Sequence, residues 1–300
     1  MKPIATRLPS LGLAAVLIFA TSSVTRADAV NRYAQGGPHA VRVANDAWRD
    51  AARDRSVAVR MYVPQGDGRF PVILFSHGLG GSRGGGSTWG SHWASHGFVS
   101  VHLQHPGSDE SLWRGRDPGD ARRALRAAMS GREFLERNAD LAFVIDELVR
   151  RRAAGDVSFR SADVARIGMS GHSYGTRTTL ALVGEHIGVL GSNPERRIAA
   201  AIAFSPAAAG PDADYAMRFG PIAIPFLSIT GTADDDVVGN GSTPENRLLP
   251  FAHMRPSGKH LLVMREGDHM VFNGVPRLSR LDPVREEIIF RFAKAASTAF

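Results

Sequence analysis

Short apolar runs alternate with helix-forming segments along most of this 300-residue chain. The runs are five to seven residues long. The run at 71–76 is continuously apolar, as expected for a strand buried on both faces of a sheet, and the run at 57–63 is β-branched and partly alternating. The runs predict strands at 57–63, 71–76, 98–103, 165–169, 198–204, 225–230 and 260–264. Helices are predicted at 89–96, 121–152, 176–186 and 283–296. Such alternation predicts an α/β fold: a mostly parallel central sheet with helices on both faces.

The body of the chain shows no internal repeat and no linker long enough to divide it. One domain over residues 30–300 is therefore predicted. Two stretches, 78–90 and 239–259, are predicted to be mobile or surface segments because they are rich in Gly or polar residues. The segment 205–225 is too short to hold a large lid.

Residues 1–29 have the pattern of a secretory signal peptide. Lys2 and Arg7 precede an apolar run at 11–20, and Ala27-Asp28-Ala29 follows as an A-x-A cleavage site. The apolar run is too short for a membrane span, which needs about 20 residues. Cleavage after Ala29 is expected, giving an exported protein, periplasmic or secreted, with no stable membrane anchor. The alternatives are an uncleaved anchor and a buried N-terminal helix.

Cysteine is absent, which excludes disulfides, thiolate metal sites, iron–sulfur clusters and a cysteine nucleophile. The net charge of +7 raises the alternative of a nucleic-acid or anionic-surface partner. However, the densest basic cluster is Arg150-Arg151-Arg152, near the end of a predicted helix, where the helix dipole favours cations. No nucleic-acid partner is therefore expected, and the sequence makes no prediction of oligomeric state.

One motif indicates nucleophilic catalysis: the segment Gly171-His172-Ser173-Tyr174-Gly175 matches G-x-S-x-G. It lies between a predicted strand and a predicted helix, as a nucleophile elbow must. A serine in such a strained turn needs close neighbours that lack a β-carbon. Ser173 is therefore the predicted nucleophile, with a plain glycine-rich turn as the alternative. His172 is expected to support the turn rather than to accept a proton.

A serine nucleophile needs a base, and the base needs an orienting carboxylate. His269 follows the last predicted strand and precedes the terminal helix, so it is the predicted base. Three adjacent aspartates follow the strand at 225–230, and among them we favour Asp234 as the acid, with Asp236 as the second choice. A calcium loop is the alternative use of these aspartates, but the spacing and the distal Glu of such a loop are missing.

The oxyanion formed during acyl transfer needs two backbone donors. The N–H of Tyr174, directly after the nucleophile, is one candidate, and the N–H of Leu79, in the loop after the strand at 71–76, is the other. Three aromatic residues are candidates for the lining of the site, with the protein core as the alternative: Trp89, Trp113 and Phe272.

Neither a metal nor a cofactor is predicted. His92 and His96 have the i, i+4 spacing of a zinc pair, but no H-E-x-x-H pattern accompanies them. The glycine-rich stretch at 78–86 matches neither the P-loop nor the dinucleotide-binding pattern, so it gives little support to a phosphate site.

Several motifs, taken in order, resemble those of the α/β-hydrolase superfamily. They are Phe75-Ser76-His77-Gly78-Leu79-Gly80, Ala94-Ser95-His96-Gly97-Phe98-Val99 and the G-x-S-x-G segment. More narrowly, they resemble platelet-activating-factor acetylhydrolases and predicted dienelactone hydrolases, and the second is also similar to cutinase-like polyester hydrolases. The resemblance implies an α/β-hydrolase fold with Ser173 as nucleophile, His269 as base and Asp234 as acid. True dienelactone hydrolases use a cysteine nucleophile, so the lack of cysteine argues against a dienelactone substrate.

The expected function is that of an exported serine hydrolase that cleaves carboxylic esters through an acyl-enzyme intermediate. Its expected partner is a small-molecule or polymer ester. Two alternatives remain open. One is hydrolysis of a phospholipid acetyl group, an amide or a thioester by the same three residues. The other is a non-enzymatic binding protein on the hydrolase scaffold.

Overall fold

The computed structural model describes residues 32–208, 214–239 and 241–300, and the predicted signal peptide lies outside these ranges. Eight strands form one sheet: β1 (Val41–Asp50), β2 (Arg55–Pro64), β3 (Phe70–Ser76), β4 (Val99–Gln104), β5 (Ala162–His172), β6 (Ile198–Phe204), β7 (Phe226–Ala233) and β8 (Lys259–Asp268). All seven predicted strands overlap one of them. The eighth, β1, was not predicted.

The strands are arranged in the order β1-β2-β4-β3-β5-β6-β7-β8. β2 runs antiparallel to both β1 and β4, whereas every pair from β4 through β3 to β8 is parallel. The parallel strands therefore end at one common edge, where the connecting loops can bring residues from distant parts of the chain together.

The helices that frame the sheet are α1 (Ser87–Ser95), α2 (Pro118–Ala127), α3 (Gly131–Ala153), α4 (Tyr174–Leu182), α5 (Tyr215–Phe219), α6 (Leu249–His253) and α7 (Pro283–Ala299). The long helix predicted at 121–152 is in fact two helices, α2 and α3. Ser130 lies directly before α3 and caps its N-terminus. The predicted helix at 176–186 begins earlier and ends at Leu182, ahead of Gly184, which has a φ of +118°.

The core lies on both faces of the sheet. On one face, α3 buries Leu141, Val144, Ile145 and Leu148 against the strands. On the other face, Trp89 of α1 packs on residues that include Phe290 of α7, with ring centroids 5.3 Å apart. Burial of these apolar side chains is the main force that holds the layers together. The predicted mostly parallel sheet with helices on both faces is thus confirmed.

The two predicted surface segments are more ordered than expected. Most of 78–90 is buried or half-buried, and α1 begins inside it. The segment 239–259 contains α6 and a side chain, Arg247, that is 3% exposed. Between β6 and β7 the described residues form one short helix, α5, and no large lid. In the described part of the chain, no helix is both long enough and apolar enough to cross a membrane.

Candidate active site

Ser173 lies in the sharp turn between β5 and α4, with a φ of +54° and a ψ of −117°. A Cβ on Gly175 would lie 2.0 Å from the carbonyl oxygen of Ser76, and one on Gly171 would lie 2.5 Å from the carbonyl oxygen of Gly175. Because both obstacles are backbone atoms, no side chain can move aside to make room. The two glycines of the motif are therefore a steric requirement of the turn.

The structure brings Ser173, His269 and Asp234 together. The Oγ of Ser173 lies 2.8 Å from Nε2 of His269, and Nδ1 of His269 lies 2.7 Å from Oδ1 of Asp234. Ser173 follows β5, Asp234 follows β7, and His269 follows β8. β7 and β8 are parallel neighbours with Ala233 opposite Asp268, so the residues that follow each of them meet at the shared edge.

Asp234 is fully buried and accepts several hydrogen bonds. Oδ2 accepts one from the hydroxyl of Thr230 at 2.7 Å. Oδ1, which faces His269, also lies 2.6 Å from Nε of Arg247. Burial lowers the pKa of Arg247 from its ordinary value. Arg247 also donates to the carbonyl oxygens of Asp234 and Ser205, so it connects the β6 and β7 ends beneath the site.

Asp236, the second choice for the acid, has different contacts. Its carboxylate accepts hydrogen bonds from the backbone N–H groups of Val238, Gly239 and Gly241, at 2.6 to 2.8 Å. It therefore shapes the loop after β7. Val237 and Val238 of that loop line the site.

Arg247 and Thr230 were not among the residues predicted from the sequence. Arg247 lies in a polar stretch predicted to be a surface segment, 13 residues after Asp234, and no motif marks it. Thr230 is four residues before Asp234 in the same apolar strand, and its hydroxyl becomes meaningful only through its contact with Asp234. Neither residue left a recognisable sequence signal.

The N–H groups of Leu79 and Tyr174 both border the site. Leu79 lies in the loop after β3, and the last residue of β3, Ser76, pairs with Gly171 of β5. Tyr174 is the first residue of α4. Within the described part of the chain, neither backbone N–H has an acceptor. Both residues line the cavity beside Ser173.

Two spaces border Ser173 and His269. The first is a cavity of about 40 Å³, whose lining includes the polar residues Thr176, Arg177, Ser205, Ser242 and Arg247. The second is an open groove of about 470 Å³, whose lining includes the apolar residues Leu79, Trp113, Leu125, Val237, Val238, Met270, Val275 and Leu278. Of the three aromatic residues considered for the lining of the site, Trp113 does line the groove. Trp89 and Phe272 instead belong to the core and have no exposed surface.

His172, inside the motif, lies against His269 with ring centroids 4.8 Å apart. Its Nε2 donates a hydrogen bond to the carbonyl oxygen of His269 at 2.9 Å. Burial, together with the neighbouring His269, lowers the pKa of His172 well below its ordinary value. A neutral His172 therefore holds the backbone of His269, which agrees with a supporting role.

The histidine pair in α1 makes protein contacts. Nε2 of His92 lies 2.7 Å from the carbonyl oxygen of Tyr33, and Nε2 of His96 lies 2.9 Å from that of Gln35. Among the described residues, no group of three or more potential His, Cys, Asp or Glu ligands could hold a metal ion.

The strand order and the turn at Ser173 together define an α/β-hydrolase fold. The resemblance to this superfamily, predicted from the motifs, is confirmed by comparison with known proteins. Residues 34–122 match the family model of platelet-activating factor acetylhydrolase, isoform II. This match includes the loop that carries Leu79 but not the turn that carries Ser173. No curated protein matches the chain significantly in sequence.

Two solved structures illustrate the fold. One is a cold-adapted esterase from an Arctic intertidal metagenomic library, with a TM-score of 0.55 and 17% identity over 84% of this chain and 94% of that one. The other is a putative dienelactone hydrolase from Klebsiella pneumoniae, with a TM-score of 0.57 and 14% identity over 85% of this chain and 99% of that one. At these identities they establish the fold alone.

Proposed function

We propose that this protein is an exported serine hydrolase that cleaves carboxylic esters through a Ser173–His269–Asp234 triad. The observation that carries the proposal is the continuous chain of two short hydrogen bonds from Ser173 through His269 to Asp234. A base that is hydrogen-bonded both to a serine and to a buried carboxylate can take the serine proton and remain oriented while it carries it.

The acylation step follows from this geometry. Ser173 Oγ attacks the ester carbonyl carbon while its proton passes to Nε2 of His269. The carbonyl π electrons move to oxygen, and the resulting oxyanion accepts hydrogen bonds from the N–H groups of Leu79 and Tyr174. Asp234 stabilises the imidazolium of His269. Collapse of the intermediate breaks the bond to the alkoxy oxygen, which leaves as an alcohol with the proton from His269.

Deacylation repeats these steps with water. His269 Nε2 accepts a proton from a water molecule, whose oxygen attacks the acyl-enzyme carbonyl carbon. The same two N–H groups hold the second oxyanion. When it collapses, the carboxylic acid leaves and His269 returns its proton to Ser173 Oγ. No cofactor takes part in this scheme.

The test is covalent labelling combined with a substrate panel. We expect a fluorophosphonate to add one group to the folded protein, located on Ser173 by peptide mass spectrometry. We expect hydrolysis of short p-nitrophenyl esters to fall by roughly 10³-fold or more in Ser173→Ala. A folded protein that takes up no label on Ser173 would contradict the enzyme proposal. Cleavage of amides but not of short esters would contradict the substrate class.

A phospholipid acetyl ester is the second candidate substrate, favoured by the family match over residues 34–122. The apolar groove beside Ser173 offers space for such a leaving group. Including an acetylated phospholipid in the panel, with its non-hydrolysable ether analogue as inhibitor, separates the two. The phospholipid is favoured if its kcat/KM exceeds that of every p-nitrophenyl ester.

Export is proposed on the pattern of residues 1–29. Intact-mass measurement of the protein recovered from the periplasm or the medium is expected to give a mature chain that begins at Val30. A full-length protein retained in the cytosol would contradict export.

A further inference from the structure

A second serine–histidine–aspartate chain lies beneath the candidate active site. The Oγ of Ser76 is 3.0 Å from Nε2 of His105, and Nδ1 of His105 is 3.0 Å from Oδ2 of Asp140. All three residues have no exposed surface. Since no substrate can reach Ser76, this chain cannot work as a second nucleophile and must have another use.

The protonation states give this buried chain a direction. Burial, together with Arg137, lowers the pKa of His105 to about 4, so the ring is neutral at pH 7. Burial opposes ionisation of Asp140, but hydrogen bonds from His105 and Arg55 outweigh it and lower the pKa of its carboxyl group to about 2. Nδ1 of His105 therefore carries the proton and donates to Asp140, and Nε2 accepts the hydroxyl proton of Ser76.

Arg55 fixes the far end of this chain. It donates to both carboxylate oxygens of Asp140, at 2.7 and 3.0 Å, and to the carbonyl oxygen of Pro106 at 2.7 Å. A bidentate pair of this kind sets the orientation of the carboxylate as well as its charge. His105 consequently has one orientation in which it can accept from Ser76.

Arg137 of α3 meets the near end of the chain. It has no exposed surface and forms no ion pair with a carboxylate of the described residues. Its guanidinium donates to Ser76 Oγ at 2.9 Å, to Ser108 Oγ at 2.9 Å and to Thr178 Oγ1 at 3.2 Å. Burial lowers its pKa to about 10, so it stays charged at pH 7. A cation without an ion-pair partner in the interior is costly, which indicates a specific role.

The same guanidinium touches both sides of the oxyanion site. It donates to the carbonyl oxygen of His77, two residues before Leu79. It also lies over the ring of Tyr174, 4.8 Å from the centroid. Arg137 thus joins the loop that carries one N–H to the residue that carries the other.

The loop itself is fastened on both sides of Leu79. The His77 ring donates through Nδ1 to the carbonyl oxygen of Gly78 and accepts through Nε2 from the N–H of His105. The N–H of Gly80 donates to the carbonyl oxygen of Ser108 at 2.9 Å. These hydrogen bonds hold the loop in place, and the N–H of Leu79 has no acceptor among the described residues. A donor to an oxyanion must be free in this way.

We propose that Arg137, oriented by the buried Ser76–His105–Asp140 chain, is a positioning residue that holds the N–H groups of Leu79 and Tyr174 at the spacing an oxyanion needs. The inference rests on the proposed function. It assigns a role to four buried polar side chains that the triad does not use. Because it acts on charge developed in the transition state, its loss should reduce kcat far more than it raises KM.

The experiment compares three variants with a matched control. Arg137→Lys keeps the positive charge but loses the several N–H donors of the planar guanidinium. Ser76→Ala removes the hydroxyl group. His105→Asn puts a shorter side chain between Ser76 and Asp140. Ser228→Ala is the control, since Ser228 of β7 is equally buried and its Oγ has no hydrogen-bond partner among the described residues. Kinetics use p-nitrophenyl butyrate, normalised to active sites titrated with a fluorophosphonate. Inhibition by 1,1,1-trifluorooctan-2-one, which forms an oxyanion on Ser173, is compared with that by octan-2-one.

We expect Arg137→Lys to lower kcat by about ten- to a hundredfold with KM within about threefold of wild type. Binding of the trifluoroketone should weaken by a similar factor, while that of octan-2-one and the kinetics of Ser228→Ala stay unchanged. Ser76→Ala and His105→Asn should show a smaller effect of the same kind, and they serve as the test if Arg137→Lys does not fold.

Wild-type kcat per titrated site in these variants would overturn the inference, even if their thermal stability falls, because the network would then be purely structural. Equal weakening of both ketones would overturn it too, because the loss would not be specific to an oxyanion. The proposed function fails separately: a wild-type protein that neither reacts with the fluorophosphonate nor hydrolyses the ester would overturn both.

Discussion

Ser173 holds a backbone conformation that residues with a side chain rarely adopt. Strain of this kind costs about 1–3 kcal/mol and persists where the surrounding structure enforces it. Here the enforcement comes from the crowding of Gly171 and Gly175 against neighbouring carbonyl groups. The strain should therefore be measurable as a stability difference between residues that tolerate a positive φ and those that do not.

Comparison of Ser173→Gly with Ser173→Ala isolates this strain, because both variants lack the hydroxyl group. Glycine relieves the strain but makes the unfolded chain more flexible, which costs about 0.4–1 kcal/mol. We expect Ser173→Gly to be the more stable variant by about 1 kcal/mol in urea unfolding, with both variants inactive. An alanine variant more stable than the glycine variant by about 0.4–1 kcal/mol or more would show that the turn is not strained.

The sequence favours Asp234 over Asp236 as the acid, and the contacts of the two aspartates differ. Asp234 faces His269, whereas Asp236 holds the backbone of the following loop. We expect Asp234→Asn to lower kcat by roughly 10³- to 10⁴-fold, because an amide no longer stabilises the protonated histidine. Asp236→Asn should lower kcat less than about tenfold and act mainly on KM, through the groove. Steady-state kinetics on one p-nitrophenyl ester tests both, and the reverse ranking would transfer the role of acid to Asp236.

At the residue scale, the position of a site residue could be predicted where that residue directly follows a strand in the sequence. The contact between Ser173 and His269 could be predicted because each comes directly after a strand of recognisable pattern. Arg247 could not, because its contact with Asp234 depends on how a loop folds back across the end of β7. Likewise, the contacts of Arg137 join α3 to residues more than 25 positions away along the chain.

At the scale of elements, the two main errors have physical causes. β1 is an edge strand with many polar and exposed residues, so it lacks the short apolar run from which the other seven strands were predicted. The break between α2 and α3 was overlooked although Ser130 and Glu133 have the spacing of a helix start. In the structure, the Ser130 hydroxyl accepts from the N–H of Glu133 at 3.2 Å.

The cap on α3 is testable because Ser130 is exposed. We expect Ser130→Ala to lower the free energy of unfolding by about 1 kcal/mol, since the N–H of Glu133 loses its acceptor. Ser130→Asp keeps an acceptor and should leave stability close to that of wild type. Urea unfolding of the two variants decides the point, and equal losses in both would show that the hydroxyl contributes through something other than capping.

At the scale of the whole molecule, the fold was predictable because the pattern that determines it, apolar strands and amphipathic helices, extends along most of the chain. Seven apolar strands interspersed with helices leave few arrangements other than a mostly parallel sheet. The order of strands and the antiparallel edge were not predictable in the same way. They depend on which strands pair, as β1 does with β2 and β2 with β4, and a pairing is a contact between two chain segments and not a property of either one.

Buried neutral histidines give the whole molecule a dependence on pH. Burial is the largest cause that lowers the pKa of five of them: His77, His92, His102, His105 and His172. In the unfolded chain each would titrate near pH 6.5. Below that pH the unfolded state binds more protons than the folded state. The contribution of these histidines to the free energy of unfolding is therefore fully present above pH 6.5 and is lost as the pH decreases.

His102 allows this dependence to be measured one residue at a time. Burial lowers its pKa to about 3, and its ring forms hydrogen bonds with the carbonyl oxygen of Gly85 and the hydroxyl of Ser100. His102→Asn should destabilise the protein at pH 7 because a packed ring is lost. Since asparagine does not titrate, the stability difference from wild type should shrink by about 2 kcal/mol between pH 7 and pH 5. Urea unfolding at both pH values measures it, and a difference that stays constant or widens on acidification would mean that His102 is already protonated in the folded protein.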